Sequence, residues 1–236
     1  MPNPYFRFKQ FTIQQDRCSM KVCTDSCILG AWTAVRLGAS RSVLDIGAGT
    51  GLLSLMLAQE SAANIEAIEL DQAAAEQAQE NIAASPWNDR IRLVSGDIRL
   101  QDFPERFDFI ISNPPFFGSD LRSPQREKNV AKHDESLTLE ELLRQIGRLL
   151  KPGGAFSVLL PFHRTAWFEG LAIENGFMLQ DKLIVRQTPK HEPFRSVLLF
   201  RDQKPASVNP DEMVVRDESG QESRQLLSLL SPYYIR

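Results

Sequence analysis

Between Ser42 and Leu160, short apolar runs alternate with amphipathic ones. Residues 42–47, Ile65–Glu69, Ile91–Val94, Phe107–Ser112 and Ala155–Leu160 read as five strands, the fourth short and mostly apolar, as a buried central strand should be. The segments between them predict helices beginning near Thr50, at Gln72 (to about Ala84) and over 138–150, the last stopped by Lys151-Pro152-Gly153-Gly154. Another helix is expected around Arg164–Asn175, closed by Gly176. Two longer strands follow, about Met178–Arg186 and Arg195–Arg201, with no helix between them, so they must pair antiparallel. Five βα units and a reversed pair predict an α/β, doubly wound, Rossmann-like sheet with a terminal antiparallel hairpin.

The flanks follow other patterns. Phe6, Phe8, Phe11 and Ile13 alternate with polar residues, which predicts a small hairpin. Thr24 is a good N-cap for a helix whose face holds Cys27, Ile28, Ala31, Trp32 and Val35, running to about Leu37 and ended by Gly38. Beyond Pro205 and Pro210, Met213–Val215 and a short helix holding Leu226, Leu227, Leu229 and Leu230 form a small C-terminal appendage. The expected organisation is therefore one domain, 1–202, including an N-terminal extension over 1–40, with 203–236 packed on it.

Composition narrows the class. The chain has 236 residues, enough for one well-cored domain, and 42% hydrophobic and 24% charged residues are ordinary globular values. A formal net charge of −3 excludes a globally basic nucleic-acid binder but leaves room for a local basic face. No apolar run approaches the roughly 20 residues that span a bilayer, and the N-terminus lacks a signal-peptide core, so a cytoplasmic location without membrane contact is expected. Cys18, Cys23 and Cys27 form no C-x-x-C pair and have no His nearby, so free thiols and no metal site are expected.

Candidate chemistry gathers at the strand ends, where open α/β sheets bind ligands. The first strand ends in Asp45-Ile46-Gly47-Ala48-Gly49-Thr50-Gly51, a glycine turn opening a helix. Gly47 and Gly49 let backbone approach a ligand, and the Asp45 carboxylate suits a cationic or amine-bearing one. Leu52 stands where a dinucleotide fingerprint needs its third glycine. The second strand presents Glu69 and Leu70; Glu69 lies where an acid accepts bonds from ribose hydroxyls. The third presents Asp97, placed to accept from an adenine amino group, with Ile98 offering its backbone amide to the ring. Asp71 reads as a helix cap instead.

The fourth strand ends in Asn113-Pro114-Pro115-Phe116. Two prolines impose a rigid turn that aims the Asn113 side chain and the Pro114 carbonyl into the cleft. Two fixed acceptor oxygens suit a planar NH2 group, with Phe116 stacking on its ring. Such chemistry needs no general base before attack, so none of His133, His163 or His191 is expected to be catalytic.

The glycine turn resembles the first motif of S-adenosylmethionine-dependent methyltransferases, and the proline turn resembles that of the amino-group methyltransferases among them. Within that class the chain is similar to the bacterial tRNA(Val) adenine-N6 methyltransferases, through Cys18–Val22, Thr24-Asp25, Leu29–Trp32 and Tyr233-Tyr234. The resemblance implies S-adenosylmethionine as cofactor, contacts from Thr24 and Asp25 to its methionine part, and methylation of the adenine 3′ of the anticodon. Cys23, where a small residue is expected, departs from the pattern, and Phe116 also occurs in enzymes methylating guanine. Guanine N2 in ribosomal RNA and a glutamine amide in a protein therefore stand as alternative acceptors. For RNA, Pro115 and two basic loops are the candidate contacts: Arg122, Arg126, Lys128 and Lys132 in the insertion 118–136, and Lys190 and Arg195 further on. A monomer with tRNA as its partner is expected.

Overall fold

The computed structural model describes residues 3–18, 20–115, 137–205 and 207–235. A hairpin of β1 (Tyr5–Arg7) and β2 (Thr12–Gln14) leads to α1 (Thr24–Ala34). The main body then alternates β3 (Ser42–Ile46), α2 (Leu52–Glu60), β4 (Asn64–Glu69), α3 (Gln72–Ala83), β5 (Ile91–Ser95) and β6 (Phe107–Ser112). It continues with α4 (Leu139–Leu149), β7 (Leu150–Pro161), a 3-10 turn at Phe162–Arg164, α5 (Thr165–Glu174), β8 (Met178–Arg186) and β9 (Pro193–Arg201). β10 (Asp211–Val214) and α6 (Arg224–Leu230) close the chain.

The main sheet has the order β10-β8-β9-β7-β6-β3-β4-β5. Neighbouring strands are parallel throughout except at β9, which runs against both β7 and β8. The strand order reverses at β3, so connections leave to opposite sides there and open a crevice at the carboxyl ends. Successive residues point to opposite faces: Val43, Phe109 and Ile111 join the core under α1, α2 and α6, while Leu44, Ile110 and Phe156 join the one under α4 and α5.

Several local expectations shift. Thr24 opens α1 rather than capping it, because Cys23 holds the extended cap position, and α1 stops at Ala34, with single turns carrying the chain to Gly38. Lys151–Gly154 does not separate helix from strand. Leu150 already pairs with Phe107, the chain bulges through Gly153 at φ +76°, and regular pairing resumes at Ala155. β10 extends the sheet beside β8, and the fully buried Tyr233 donates from its hydroxyl to the Met56 carbonyl of α2.

α1 lies close against α2 because Gly30 has no side chain: a Cβ there would stand 2.7 Å from Met56 Sδ. Gly30→Val should therefore lower stability by about 1–3 kcal/mol, the usual cost of overpacking a filled core. Urea unfolding followed by circular dichroism measures it, and an unchanged midpoint would show that the two helices separate freely.

Candidate functional site

Parallel registry brings four strand ends to one edge. Ile46 of β3 is level with Ile68 of β4 and Ser112 of β6, and Glu69 is level with Ser95 of β5. The glycine turn, Glu69, Asp97 and Asn113 thus share the crevice that the sequence assigns to a ligand.

The glycines of the turn divide by function. Gly47, Gly49 and Gly51 all have positive φ (74°, 55° and 80°), which glycine adopts without penalty. Cβ atoms built on Gly47 and Gly49 would meet nothing within 4 Å, so the backbone borders open space there. On Gly51 the Cβ would touch Ala78 and Ile82 of α3, so this glycine serves packing.

The three acids are in three different electrostatic states. Asp45 is fully buried, and its Oδ2 accepts from the backbone amide and hydroxyl of Ser54 in α2. Burial pushes its pKa up to about 7, against the Ser54 hydrogen bonds, which lower it, while the nearby Glu69 raises it further. One oxygen of the Asp45 carboxylate thus faces α2, and the other is buried without a hydrogen-bond partner among the described residues. Glu69 is half-buried and ties the turn together, accepting from the amides of Gly49 (2.8 Å) and Asp71 (2.9 Å). Asp97 is held by Arg99, whose Nε and Nη2 donate to its two oxygens at 2.7–3.0 Å. Those bonds hold its pKa below the usual carboxylate range. Arg99 carried no signal in the sequence beyond lying two residues past the acid. Leu70 is half exposed, an apolar surface at the end of β4, whereas the Ile98 side chain is buried.

Asn113 leaves the end of β6 with its amide half-buried. Its Nδ2 donates to Ser26 Oγ at 2.9 Å and lies 3.7 Å from Met20 Sδ, while its Oδ1 is buried with no hydrogen-bond partner among the described residues. An unpartnered buried acceptor is costly, and a donor arriving there removes the cost. Pro114 is buried and Pro115 exposed. Phe116 and the basic residues Arg122, Arg126, Lys128 and Lys132, with His133, lie outside the described residues.

The start of α1 reaches the same crevice. Thr24 is half-buried, and Asp25 Oδ2 accepts from Arg195 Nε at 2.8 Å. β9 begins beside α1, so Arg195, a candidate RNA contact from the sequence, stands here as an ion-pair partner of Asp25. Lys190 is exposed in the β8–β9 turn, on the carboxyl side of β7, because Pro161 of β7 pairs with Arg195 of β9. Beyond β7 on that side, Arg164 lies 4.8 Å over the ring of Trp167, itself 41% exposed. This pair was not singled out from the sequence, where it reads only as a helix start. His191 bonds Thr188 at 2.6 Å, and His163 is exposed.

A family model described as the methyltransferase small domain matches residues 29–164, more than half of the chain. Over 99% of its length the chain is 44% identical to a protein of Dyadobacter fermentans, of which it covers 98%, named tRNA1(Val) (adenine(37)-N6)-methyltransferase. Proteins with the same name from Bacteroides thetaiotaomicron (42% identical, 100% of this chain and 99% of that one) and Tolumonas auensis (43%, 98% and 97%) are similarly close. Among solved structures, a predicted O-methyltransferase of Agrobacterium tumefaciens superposes with a TM-score of 0.64 at 17% identity, covering 88% of this chain and 96% of that one. A glycopeptide N-methyltransferase complexed with S-adenosylmethionine reaches 0.55 at 16%, covering 78% and 96%. At those identities the likeness concerns the fold alone.

The buried Asp45 generates a pH prediction. Its folded pKa of about 7 lies above the ordinary 3.8, so the folded state holds a proton that the unfolded chain releases between those values. Stability from this group is therefore greatest below pH 3.8 and falls as pH rises to about 7. Asp45→Asn removes the titration and keeps an oxygen for Ser54. The stability of the native protein relative to this variant should decline across that window, as read by urea unfolding at several pH values. A difference independent of pH would place the carboxylate in water.

Proposed function

The chain belongs to the methyltransferase small-domain family, together with the tRNA1(Val) (adenine(37)-N6)-methyltransferases, and we propose that it methylates N6 of an adenine in tRNA, the one 3′ of the anticodon of tRNA(Val). The observation that carries this reading is the buried Oδ1 of Asn113 at the crevice, which has no hydrogen-bond partner among the described residues. It is an acceptor waiting for an amine hydrogen. The open space over Gly47 and Gly49 fits a cofactor lying against backbone, and Glu69 beside it offers lone pairs beyond those used by Gly49 and Asp71. In this reading Gly47, Gly49, Glu69, Leu70, Asp97 and Ile98 hold S-adenosylmethionine, with Thr24 and Asp25 covering its methionine end. When bound, that cofactor supplies a methyl group already activated for transfer.

The chain's own contribution is then orientation and exclusion of water. Asn113 Oδ1 and the Pro114 carbonyl each accept one hydrogen of the NH2 group, which fixes its plane and leaves the nitrogen lone pair facing the cofactor side. Acceptors on the hydrogens oppose delocalisation of that lone pair into the ring, and they strengthen as positive charge develops on nitrogen, so they favour the transition state over the ground state. The amine proton leaves after transfer, when the product nitrogen is strongly acidic, and no basic side chain is asked to remove it first.

The names of the relatives favour adenine over guanine or a glutamine amide. For the RNA, we assign a basic rim on the carboxyl side of β7 and β8, comprising Lys190 and the Arg164–Trp167 pair, alongside the basic insertion. Presenting a base from a loop costs a few kcal/mol of unstacking, which phosphate and stacking contacts at such a rim offset.

Asn113→Ala should reduce methyl transfer to tRNA by more than 100-fold while cofactor affinity stays within a few-fold. Labelled methyl transfer to RNA from a strain lacking the protein, followed by nucleoside analysis, should yield N6-methyladenosine; label in guanosine or in protein would overturn the reading. Arg164→Ala combined with Lys190→Ala should weaken tRNA binding several-fold and flatten its salt dependence by about 1–2 units of log–log slope. Binding unchanged at every salt concentration would remove both residues from the interface.

A further inference from the structure

The proposed reading uses Asn113 Oδ1 but leaves open what keeps that oxygen, rather than the NH2 of the same amide, directed at the arriving amine. The two ends of an amide are nearly identical in shape. Reversed, Asn113 would oppose the amine with donors, and the contact would become repulsive. The selection must come from the groups around Nδ2, which among the described residues belong to the start of α1 and the segment leading into it.

Ser26 is buried in the first turn of α1, and its Oγ accepts from Asn113 Nδ2 at 2.9 Å. A hydroxyl also carries a proton and would equally serve a reversed amide unless that proton has another destination. Cys23 Sγ lies 3.1 Å from Ser26 Oγ and provides one, one helical turn back. Met20 Sδ, 3.7 Å from Nδ2, adds a second constraint. A thioether has lone pairs and no hydrogen, so only a donor is tolerated beside it. An amide with its oxygen towards Met20 and Ser26 would lose both bonds and bring lone pairs together.

From this geometry we infer that Ser26 is a positioning residue for methyl transfer, which with Cys23 and Met20 fixes the Asn113 amide so that Oδ1 faces the acceptor amine. The N-terminal segment is then a working part of the active site and not only a cover for the cofactor. It also explains how Cys23 fits where a smaller residue was expected: its sulfur lies within hydrogen-bonding reach of Ser26 Oγ. The inference rests on the reading of Asn113 as the amine's acceptor.

The test is Ser26→Ala, measured in single turnover with saturating cofactor and tRNA. Replacing a serine by the best helix former does not endanger α1, and thermal unfolding checks that. The transfer rate should fall about tenfold, equivalent to about 1.4 kcal/mol, while the dissociation constants of S-adenosylmethionine and tRNA stay within twofold. Ser26→Thr, which keeps the hydroxyl, should recover the rate to within threefold, and Met20→Leu should lower it two- to threefold. A Ser26→Ala rate within twofold of the native enzyme overturns the inference. So does a loss carried entirely by weaker binding, or an equal loss in Ser26→Thr. Asn113→Ala separates the two readings. If it retains activity, the assignment of Asn113 fails. If it is inactive while Ser26→Ala is native-like, only the role of Ser26 fails.

Discussion

One buried amide holds the two halves of the site together. Asn81 of α3 accepts from the Gln14 amide and donates to the Gln14 carbonyl, pairing with β2 as a neighbouring strand would, and it also donates to the carbonyl of Thr50 in the glycine turn. One turn earlier on the same helix, Gln77 accepts from the Arg17 amide and donates to Asp16. The Asn81 and Gln77 side chains are buried, so losing a partner leaves unsatisfied polar atoms on them at about 1–3 kcal/mol each. The glycine turn and the N-terminal extension are therefore fixed to a common helix. The extension then delivers Met20, Ser26 and Asp25 to the crevice. Buried tail residues reinforce the arrangement: the Lys9 amide donates to the Tyr233 carbonyl, and Phe8 pairs with Tyr234.

Against this frame, the crevice is acidic in sequence but much less so in its free charge. Asp45 is directed at α2, Asp97 is paired with Arg99, and Asp25 is paired with Arg195. Glu69 remains, bonded to two backbone amides that carry no net charge. Such an arrangement lets a cationic ligand approach without several carboxylates repelling one another before it arrives. On the proposed reading, it also concentrates the charge that ligand meets on Glu69, the acid assigned to the cofactor.

The order of elements, the reversed β9 and the clustering of strand ends were legible because hydrophobic periodicity and strand spacing depend on local sequence. Asn113-Pro114-Pro115 was legible for the same reason: two prolines after an apolar strand dictate a turn whatever surrounds them. What a side chain does once it arrives was not. Whether Asp45 faces the ligand or the adjoining helix depends on Ser54, nine residues on, and on burial that no pattern announces. Arg195 resembled any other basic loop residue until β9 set it beside Asp25, 170 positions away in the chain. Ser26 lies in mid-segment with no motif of its own, and its contact with Asn113 spans 87 positions. Long-range pairing, not composition, separates the charges that bind from those that brace.

The same distinction bears on how one acceptor is selected. In the proposed reading, two acceptor oxygens at the end of β6 discriminate by hydrogen count: an amine presents two hydrogens, and a hydroxyl or thiol presents one and leaves an acceptor without a partner. That excludes oxygen and sulfur nucleophiles but treats the amino groups of adenine, guanine and glutamine alike. Discrimination among them has to come from outside the amide, from the stacking surface over the ring and from the macromolecule that carries it to the crevice. In the proposed reading, a rim holding Lys190 and the Arg164–Trp167 pair meets phosphate and stacked bases, features that an RNA loop has and a protein glutamine lacks. On that reading the chemistry is specified by the carboxyl end of β6, and the substrate by the basic rim on the carboxyl side of β7 and β8.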